Sequence, residues 1–168
     1  MIEFVHWPKI PRVENKKEFY TEKIDGTNAA IVIGEDGEFL CQSRNRFITP
    51  EDDNFGFARW AHENKEELLK LGPGHHFGEW WGLGIQRGYG LNEKRFSLFN
   101  THRWSDQNPN RPKCCSVVPT IHGAKTLEEA KNILIEKGSL ASPGFMDVEG
   151  VIVFEHNTQS YWKAIINK

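Results

Sequence analysis

The segment at positions 21–28 contains the residue of this chain best suited to covalent chemistry. Its sequence is TEKIDGTN, which places Lys23 two residues before an Asp-Gly pair and directly upstream of the apolar run 29–33. A protonated lysine is a poor nucleophile, so a site that uses one must desolvate it or place positive charge beside it. Lys23 is therefore a candidate nucleophile. The alternative is a solvated lysine beside an ordinary turn, because short motifs match by chance.

Later segments contain the kinds of side chain that a site around Lys23 would need. Two arginines follow the second predicted strand of a hairpin, and one carboxylate is enclosed by aromatic residues and glycines at positions 77–82. Aromatic residues recur at positions 96–100, an acid opens an apolar run, and a lysine follows two aromatic residues near the C-terminus. The charged members of this set are Arg44, Arg46, Glu79, Glu149 and Lys163.

The elements that would position these residues begin with β structure. The runs 19–24 and 29–33 are predicted strands, a hairpin turn is indicated at 35–37, and a third strand is predicted at 39–43. This arrangement places Lys23 between two strands of one sheet.

Two helices are predicted to interrupt the strands. Apolar residues recur at helical spacing over 55–71, and the sequence Gly-Pro-Gly at 72–74 is expected to end that helix. A capping box at Thr126 predicts a second helix up to Lys137, with Gly138 as its stop. The pattern favours an α+β class with a largely antiparallel sheet. The remaining predicted elements are strands over 76–81, 95–99, 149–154 and 160–166, a turn over 155–159 and an exposed loop over 105–113.

Length and composition restrict the possible classes of protein. A chain of 168 residues suits one domain with a sizeable core. The formal net charge of -2 means that any contact with nucleic acid must be a local patch. We expect a soluble, cytoplasmic protein without a membrane partner, because no signal peptide is apparent and no apolar run approaches the roughly 20 residues that cross a bilayer. The three cysteines form an odd set without metal-ligand spacing, which is typical of a reducing compartment.

In these segments the sequence resembles the covalent nucleotidyltransferase superfamily of polynucleotide ligases and RNA capping enzymes. It is most similar to the RNA-ligase branch, in a minimal form of phage or bacterial type. The segment 21–28 matches that branch's first motif at nearly every position, and the later segments follow in the family's order over 22–163. The resemblance implies an ATP-grasp-like nucleotidyltransferase (adenylation) domain, in which largely antiparallel sheets with a few helices flank a nucleotide cleft. We expect one such domain over 1–168, without a C-terminal OB-fold or helical domain.

The resemblance assigns the phosphate chemistry to three residues. Lys23 is implied to attack the α-phosphorus of ATP, expel pyrophosphate and hold AMP through a phosphoramidate. Glu149 is implied to position Mg²⁺ or Mn²⁺, which agrees with the preference of such cations for carboxylate oxygens. Lys163 is implied to contact the α-phosphate and to balance the charge of the transition state. Asp147 is either a second acid beside Glu149 or a loop residue.

The resemblance also implies a set of contacts to the rest of the nucleotide. Arg44 would contact its sugar and phosphate, with Arg46 as a second contact, and Glu79 would accept hydrogen bonds from the ribose hydroxyls. Phe99 would stack on adenine, a contact worth roughly 1 to 3 kcal/mol per base. Phe96 is the alternative for that role, and the two arginines are alternatively solvated residues at a strand end.

Two positions flanking Lys23 have weaker implied roles, and two others differ from the family pattern. Glu22 is implied to help recognise adenine, and Asn28 to act in binding the nucleic-acid end, although each is equally compatible with a turn or strand edge. Asn100 stands where many relatives have Asp. Ile165 stands where many relatives have a second lysine, which bears on how the α-phosphate is held.

The implied activity is ATP-dependent RNA ligation through lysyl-AMP, transfer of AMP to a 5′-phosphate, and attack by a 3′-hydroxyl. The partner would be nucleic acid with those ends, RNA rather than DNA, bound weakly and with strong salt dependence by a monomer that lacks a second domain. The alternatives are a DNA ligase, a GTP-dependent capping-type enzyme, or a non-catalytic module that binds a nucleotide or a nucleic-acid end. The joint presence of Lys23, Glu79, Glu149 and Lys163 argues against the module, because a binding protein has little need of a nucleophile.

Overall fold

Two β-sheets with helices packed against them form the part of the chain that the computed structural model describes, namely residue 4 and the ranges 18–156 and 160–167. The strands are β1 (Glu18–Lys23), β2 (Thr27–Ile33), β3 (Phe39–Ser43), β4 (Phe47–Ile48), β5 (Gly74–Gly82), β6 (Lys94–Leu98), β7 (Cys115–Val117), β8 (Gly150–Glu155) and β9 (Ser160–Ile165). The α-helices are α1 (Phe57–Glu63), α2 (Lys65–Leu68) and α3 (Leu127–Lys137), and short 3₁₀ turns span Leu69–Leu71 and Gly88–Gly90.

The larger sheet has six strands in the order β4-β3-β2-β5-β6-β7. Its strands pair antiparallel except for β6 and β7, which are parallel. One face packs against α1, where the ring of Phe57 lies 5.4 Å from that of Trp80 and 5.0 Å from that of Phe96. Because side chains alternate along a strand, Phe77 and Glu79 of β5 lie on the opposite face.

The smaller sheet has three strands in the order β1-β8-β9, all antiparallel. Its inner face packs against α3, where Val151 and Val153 of β8 form a buried cluster with Ala130 and Leu134 of the helix. The outer face includes Lys23, because Tyr20 belongs to the buried cluster and Lys23 lies three positions further along β1. The hydrophobic core therefore leaves the Lys23 face of this sheet available to a site.

Lys23 lies at the junction of the two sheets. It is the last residue of β1 and pairs with Gly150 of β8, whereas β2 pairs with β3 and β5. The prediction that Lys23 lies between two strands of one sheet is therefore wrong. The connection 24–26 passes from one sheet to the other, which is possible because Gly26 has no Cβ to collide with the carbonyl oxygen of Trp80. Strand alternation indicates which residues share a face but not which strands pair.

A second segment, 117–121, also joins the sheets. Val118 donates its backbone N–H to a carbonyl of β6, and Ile121 donates to the carbonyl of Tyr20. Between them, the carbonyl of Pro119 accepts a hydrogen bond from β1. The chain thus continues from the edge of the larger sheet along the free edge of β1.

Most elements agree with the sequence predictions. The hydroxyl of Thr126 accepts from the backbone of Glu129 at 3.1 Å, and α3 ends before Gly138, as the capping box predicts. The predicted helix over 55–71 is instead divided at Asn64, into α1, α2 and a 3₁₀ turn. Two short strands, β4 and β7, were not predicted, and part of the predicted turn over 155–159 lies outside the described residues.

No helix among the described residues is long and apolar enough to span a membrane.

Candidate active site

Lys23 and Glu149 form an ion pair at the end of the smaller sheet. The Nζ of Lys23 lies 2.8 Å from Oε2 of Glu149, and the two side chains are 22% and 16% exposed. Glu149 directly precedes β8, whose first residue, Gly150, pairs with Lys23. The register of β1 on β8 thus brings an amine and a carboxylate together where both are partly shielded from water.

Lys163 lies on the same face of the smaller sheet as Lys23. It stands on the edge strand β9 opposite Ile152, and Ile152 stands opposite Thr21 of β1. Thr21 and Lys23 are two positions apart on one strand, so their side chains share a face. The structure therefore places a second, exposed lysine on the face that carries Lys23. It lies across β8 from β1, in the row of Thr21, which is two positions before Lys23.

Glu79 adds a buried carboxylate from the larger sheet. It is 8% exposed, and its Oε2 accepts a hydrogen bond from the backbone N–H of Gly26 at 2.9 Å. Burial raises the pKa of its carboxyl to about 7; the Gly26 hydrogen bond and the charge of Lys23 oppose the rise, and nearby Glu149 adds to it. The Gly26 hydrogen bond joins Glu79 to the connection that follows Lys23, so Glu79 lies at the same junction of the sheets as the Lys23–Glu149 pair. We call these three residues the charged cluster.

The structure separates the two phenylalanines proposed for base stacking. Phe96 is fully buried, and its ring contacts those of Phe57 and Trp60 on the core face. Phe99 is 44% exposed and donates its backbone N–H to the carbonyl of Phe77, which lies on the face of β5 that also carries Glu79. An exposed aromatic ring near Glu79 is available to a planar ligand, whereas the ring of Phe96 is not.

The two arginines after β3 differ in their surroundings. Arg44 is exposed directly beyond the last residue of the strand. Arg46 is held in its own loop, because its Nη1 donates to Oδ2 of Asp52 at 3.0 Å and its Nη2 to the carbonyl of Asp53. A nucleotide contact by Arg46 would require these hydrogen bonds to break, so Arg44 is the better placed of the two.

Glu22 and Asn28 lie on opposite sides of Lys23 and the connection 24–26, which together we call the Lys23 loop. Glu22 is 1% exposed and accepts hydrogen bonds from the hydroxyl of Ser139 and from the backbone N–H groups of Leu140 and Ala141. Asn28 is exposed on β2, in register with Glu79. Glu22 therefore holds the loop after α3 in place. Asn28 is exposed to solvent beside Glu79.

The comparison with protein families decides which family has this arrangement. The family model described as RNA ligase matches residues 17–164, which include every predicted site residue. The chain belongs to the RNA ligase family. No curated protein matches it.

Solved structures of an RNA ligase from Naegleria gruberi share the fold of this family member. One mutant with ATP and manganese matches with a TM-score of 0.67 and 22% identity, covering 92% of this chain and 51% of that one. A second ATP and manganese complex gives 0.63 and 23%, covering 90% and 51%, and a complex with AMP and manganese gives 0.61 and 23%, covering 88% and 49%. The chain thus spans about half the length of these relatives. The match confirms the predicted fold class.

Three further positions of this RNA ligase family member bear on the predictions. Asp147 lies in the loop before β8 and pairs with Arg87 at 3.4 Å, so it is a loop residue. Asn100 accepts from the backbone N–H of Arg103 through its side chain, which is a local role. Ile165, where many relatives have lysine, stands opposite Gly150 and thus in the same row across the sheet as Lys23.

Arg87 and Tyr89 are contacts of the Lys23 loop that the motif analysis missed. Nε of Arg87 donates to Oδ2 of Asp25 at 3.0 Å, and the hydroxyl of Tyr89 accepts from the backbone N–H of Asp25 at 2.6 Å. Both residues come from the glycine-rich loop between β5 and β6. The density of glycines there was the available signal, because it indicates an irregular loop that is able to approach another backbone closely.

A cavity of about 630 Å³ lies elsewhere, beside β6 and β7, where Trp81, Ser97 and Lys113 contribute to its lining. Its lining includes Phe96, the alternative for base stacking, but not Lys23, Glu79 or Glu149, so we place the site at the charged cluster. Within the described ranges, no group of three or more His, Cys, Asp or Glu is arranged to hold a metal ion. A single carboxylate such as Glu149 fits the way Mg²⁺ binds in nucleotide sites, through one or two carboxylates together with phosphate oxygens.

Proposed function

We propose that this chain is the nucleotidyltransferase part of an ATP-dependent RNA ligase. Membership of the RNA ligase family supports the class of reaction. The observation that carries the assignment of residues is the 2.8 Å contact between Lys23 and Glu149, with buried Glu79 in the same cluster. An amine, a metal-binding acid and a sugar-binding acid are the parts that transfer of an adenylate to lysine requires.

In the first step, the Nζ of Lys23 attacks the α-phosphorus of ATP. A nitrogen–phosphorus bond forms, the bond from that phosphorus to the bridging oxygen breaks, and pyrophosphate leaves while the nitrogen loses a proton. Such reactions depend on in-line placement and on neutralising charge on the phosphate oxygens. The ion pair with Glu149 fixes the position of Nζ, and Lys163 on the same face supplies a cation for the α-phosphate.

A divalent cation, Mg²⁺ or Mn²⁺, would be held by Glu149 and the phosphates, and its charge would favour the unprotonated amine. Both of the ATP complexes described above contain manganese. The Glu149 side chain, 16% exposed, is accessible to such an ion.

The nucleotide's sugar and base would lie against the larger sheet. Glu79 accepts hydrogen bonds from the ribose hydroxyls, Phe99 stacks on adenine, and Arg44 contacts the phosphate side. Arg46 contributes only if it leaves Asp52, and Glu22 acts on adenine only through the loop that it holds.

In the later steps AMP passes from Lys23 to a 5′-phosphate, and a 3′-hydroxyl then attacks that phosphate and releases AMP. Asn28, which is exposed and in register with Glu79, would contact the nucleic-acid end. RNA is the proposed acceptor because the family is that of RNA ligases.

Incubation with Mg²⁺ and α-labelled ATP or GTP tests the proposal. We expect label from ATP to remain on the protein in alkali and to be released by acid, as for a phosphoramidate. Label from GTP alone would favour a capping-type enzyme, and absence of label from both would contradict the enzyme assignment. Nicked duplexes with RNA or DNA at the 3′-hydroxyl side then identify the acceptor.

A further inference from the structure

One guanidinium, that of Arg87, binds three separate segments beside the active-site cluster. Its Nε donates to Oδ2 of Asp25 at 3.0 Å, its Nη1 to the backbone carbonyl of Asp147 at 2.9 Å, and its Nη2 to the carbonyl of Asn167 at 2.5 Å. The Arg87 side chain is only 11% exposed. A charged side chain that is this buried and this fully bonded constrains all three segments.

Each of these segments carries a residue that the proposed reaction uses. Asp25 follows Lys23 by two positions, and Asp147 precedes Glu149 by two positions. The third acceptor, Asn167, lies just beyond β9, the strand of Lys163. Arg87 therefore connects the short loops next to the nucleophile, the acid and the second lysine.

The third segment is itself bound to the acid. The backbone N–H groups of Ile166 and Asn167 both donate to the carbonyl of Glu149, at 2.7 Å and 3.0 Å. The side-chain amide of Asn167 donates to the carbonyl of Val148 at 2.9 Å. A shift of Asn167 would therefore move the backbone that carries Glu149.

The loop that presents Arg87 has an unusual backbone. Gln86 and Tyr89, on either side of Arg87, have φ values of 47° and 55°, a left-handed conformation that residues other than glycine seldom adopt. Tyr89 also accepts a hydrogen bond from the backbone of Asp25. Strained backbone of this kind persists where surrounding contacts determine it and is frequent at functional sites.

We propose that Arg87 is a positioning residue that sets the distance between Lys23 and Glu149. The proposal rests on the lysyl-AMP reaction proposed above. A planar guanidinium with fixed donors can bridge three acceptors at once, whereas a lysine at this position offers a single ammonium that cannot reach all of them. Loss of Arg87 would leave Asp25 without its cation and allow the three segments to move independently.

The test compares Arg87→Ala and Arg87→Lys with Arg59→Ala, which removes an exposed arginine paired with Glu63. Lysyl-AMP formation is followed in a single turnover over a range of ATP concentrations. We expect Arg87→Ala to lower the saturating rate by about 100-fold, because misplacement of reacting groups by about 1 Å has such effects. The ATP concentration at half-maximal rate should change by less than about threefold, since Arg87 makes no proposed contact to ATP. Arg59→Ala should match the wild type.

Two further measurements separate positioning from folding. Free guanidinium, at concentrations that leave the wild-type rate unchanged, should restore part of the rate of Arg87→Ala and none of that of Glu149→Gln. The NMR signal of ¹³C-methylated Lys23 should shift in Arg87→Ala and stay in place in Arg59→Ala, and this readout does not need ATP.

A wild-type rate in Arg87→Ala, or a slow rate with an unchanged Lys23 signal and no rescue by guanidinium, would overturn the inference. A wild type that forms no lysyl-AMP while the Lys23 signal still responds to Arg87→Ala would contradict the proposed reaction alone.

Discussion

The Nζ of Lys23 lies 2.8 Å from Oε2 of Glu149, although 126 positions separate the two residues in the chain. The contact depends on one strand register, that of β1 on β8, in which Lys23 stands opposite Gly150. Both side chains retain some exposure, and ion pairs near the surface contribute only about 0 to 1 kcal/mol to stability. The pair therefore matters for the placement of an amine beside an acid more than for the free energy of folding.

Glu149→Gln should separate these two effects. The amide keeps the shape of the side chain but loses the charge that would bind a divalent cation. We expect the free energy of unfolding to change by less than about 1 kcal/mol in urea, and the rate of lysyl-AMP formation to fall by about 100-fold or more. Glu93→Gln, an exposed acid paired with Arg95, is the matched control. A Glu149→Gln variant that forms lysyl-AMP at the wild-type rate would exclude Glu149 from the site.

Glu79 should make the stability of the protein depend on pH. Burial raises the pKa of its carboxyl from the usual 4.5 to about 7, so between these values the folded state holds a proton that the unfolded state has lost. Stability therefore falls as the pH rises from about 4.5 to about 7 and stays lower above that range. Glu79→Gln should remove this dependence. At pH 8 the variant should be more stable than the wild type by roughly 3 kcal/mol.

Urea denaturation of both proteins between pH 5 and pH 8 measures the difference. The two curves of stability against pH should converge toward the acidic end. A constant difference across the whole range would show that the Glu79 carboxyl does not titrate as its burial indicates.

Phe99→Ala should weaken ATP binding but not stability, and Phe96→Ala should lower stability. Phe99 is 44% exposed, so its loss should leave stability almost unchanged and weaken ATP binding by roughly 1 to 3 kcal/mol if it stacks on the base. Phe96 is fully buried, so its loss should cost roughly 3 to 5 kcal/mol of stability. Calorimetric titration with ATP and thermal unfolding distinguish the two. Phe47→Ala, an exposed phenylalanine on β4, is the control, and equal ATP affinity in Phe99→Ala and Phe47→Ala would remove Phe99 from the site.

Gly26→Ala should damage the junction of the sheets. A Cβ at this position would collide with the carbonyl oxygen of Trp80 and lie 2.7 Å from the Cβ of Trp81, neither of which is a flexible side-chain end. We expect a loss of about 1 to 3 kcal/mol in the free energy of unfolding. Gly34→Ala is the matched control, because its nearest neighbour is the carboxylate of Asp36, which can rotate away. There the change should be at most about 1 kcal/mol in either direction. Equal losses in the two variants would show that the close contact between Gly26 and Trp80 does not determine the loss of stability.

The sequence predicted the elements better than it predicted their pairing. The strand over 39–43 agrees with β3, and the capping box located α3, because alternation and capping are local signals. The placement of β1 and β2 in different sheets depends on contacts with β8 and β5 from distant parts of the chain. No sequence pattern near Lys23 indicates that β1 pairs with β8 and that β2 pairs with β5.

The sequence likewise predicted some of the site residues and missed others. Lys23, Glu149 and Glu79 come together as their motifs imply, because each motif includes the charged residue itself. Arg87 was missed because its partners are two backbone carbonyls and two carboxylates in three other segments, and a backbone carbonyl leaves no mark in the sequence. Glu22 was expected either to help recognise adenine or to be a turn or strand-edge residue, and the hydrogen bonds of its oxygens to the loop after α3 were not predicted.

Peptide mapping by mass spectrometry after incubation with ATP and Mg²⁺ is the most direct test of the central claim that Lys23 takes AMP. We expect one peptide whose mass increases by one adenylate, with the modification on Lys23, and no modified peptide in Lys23→Ala. Adenylate on another residue of the wild type, or a modified peptide that persists in Lys23→Ala, would contradict it.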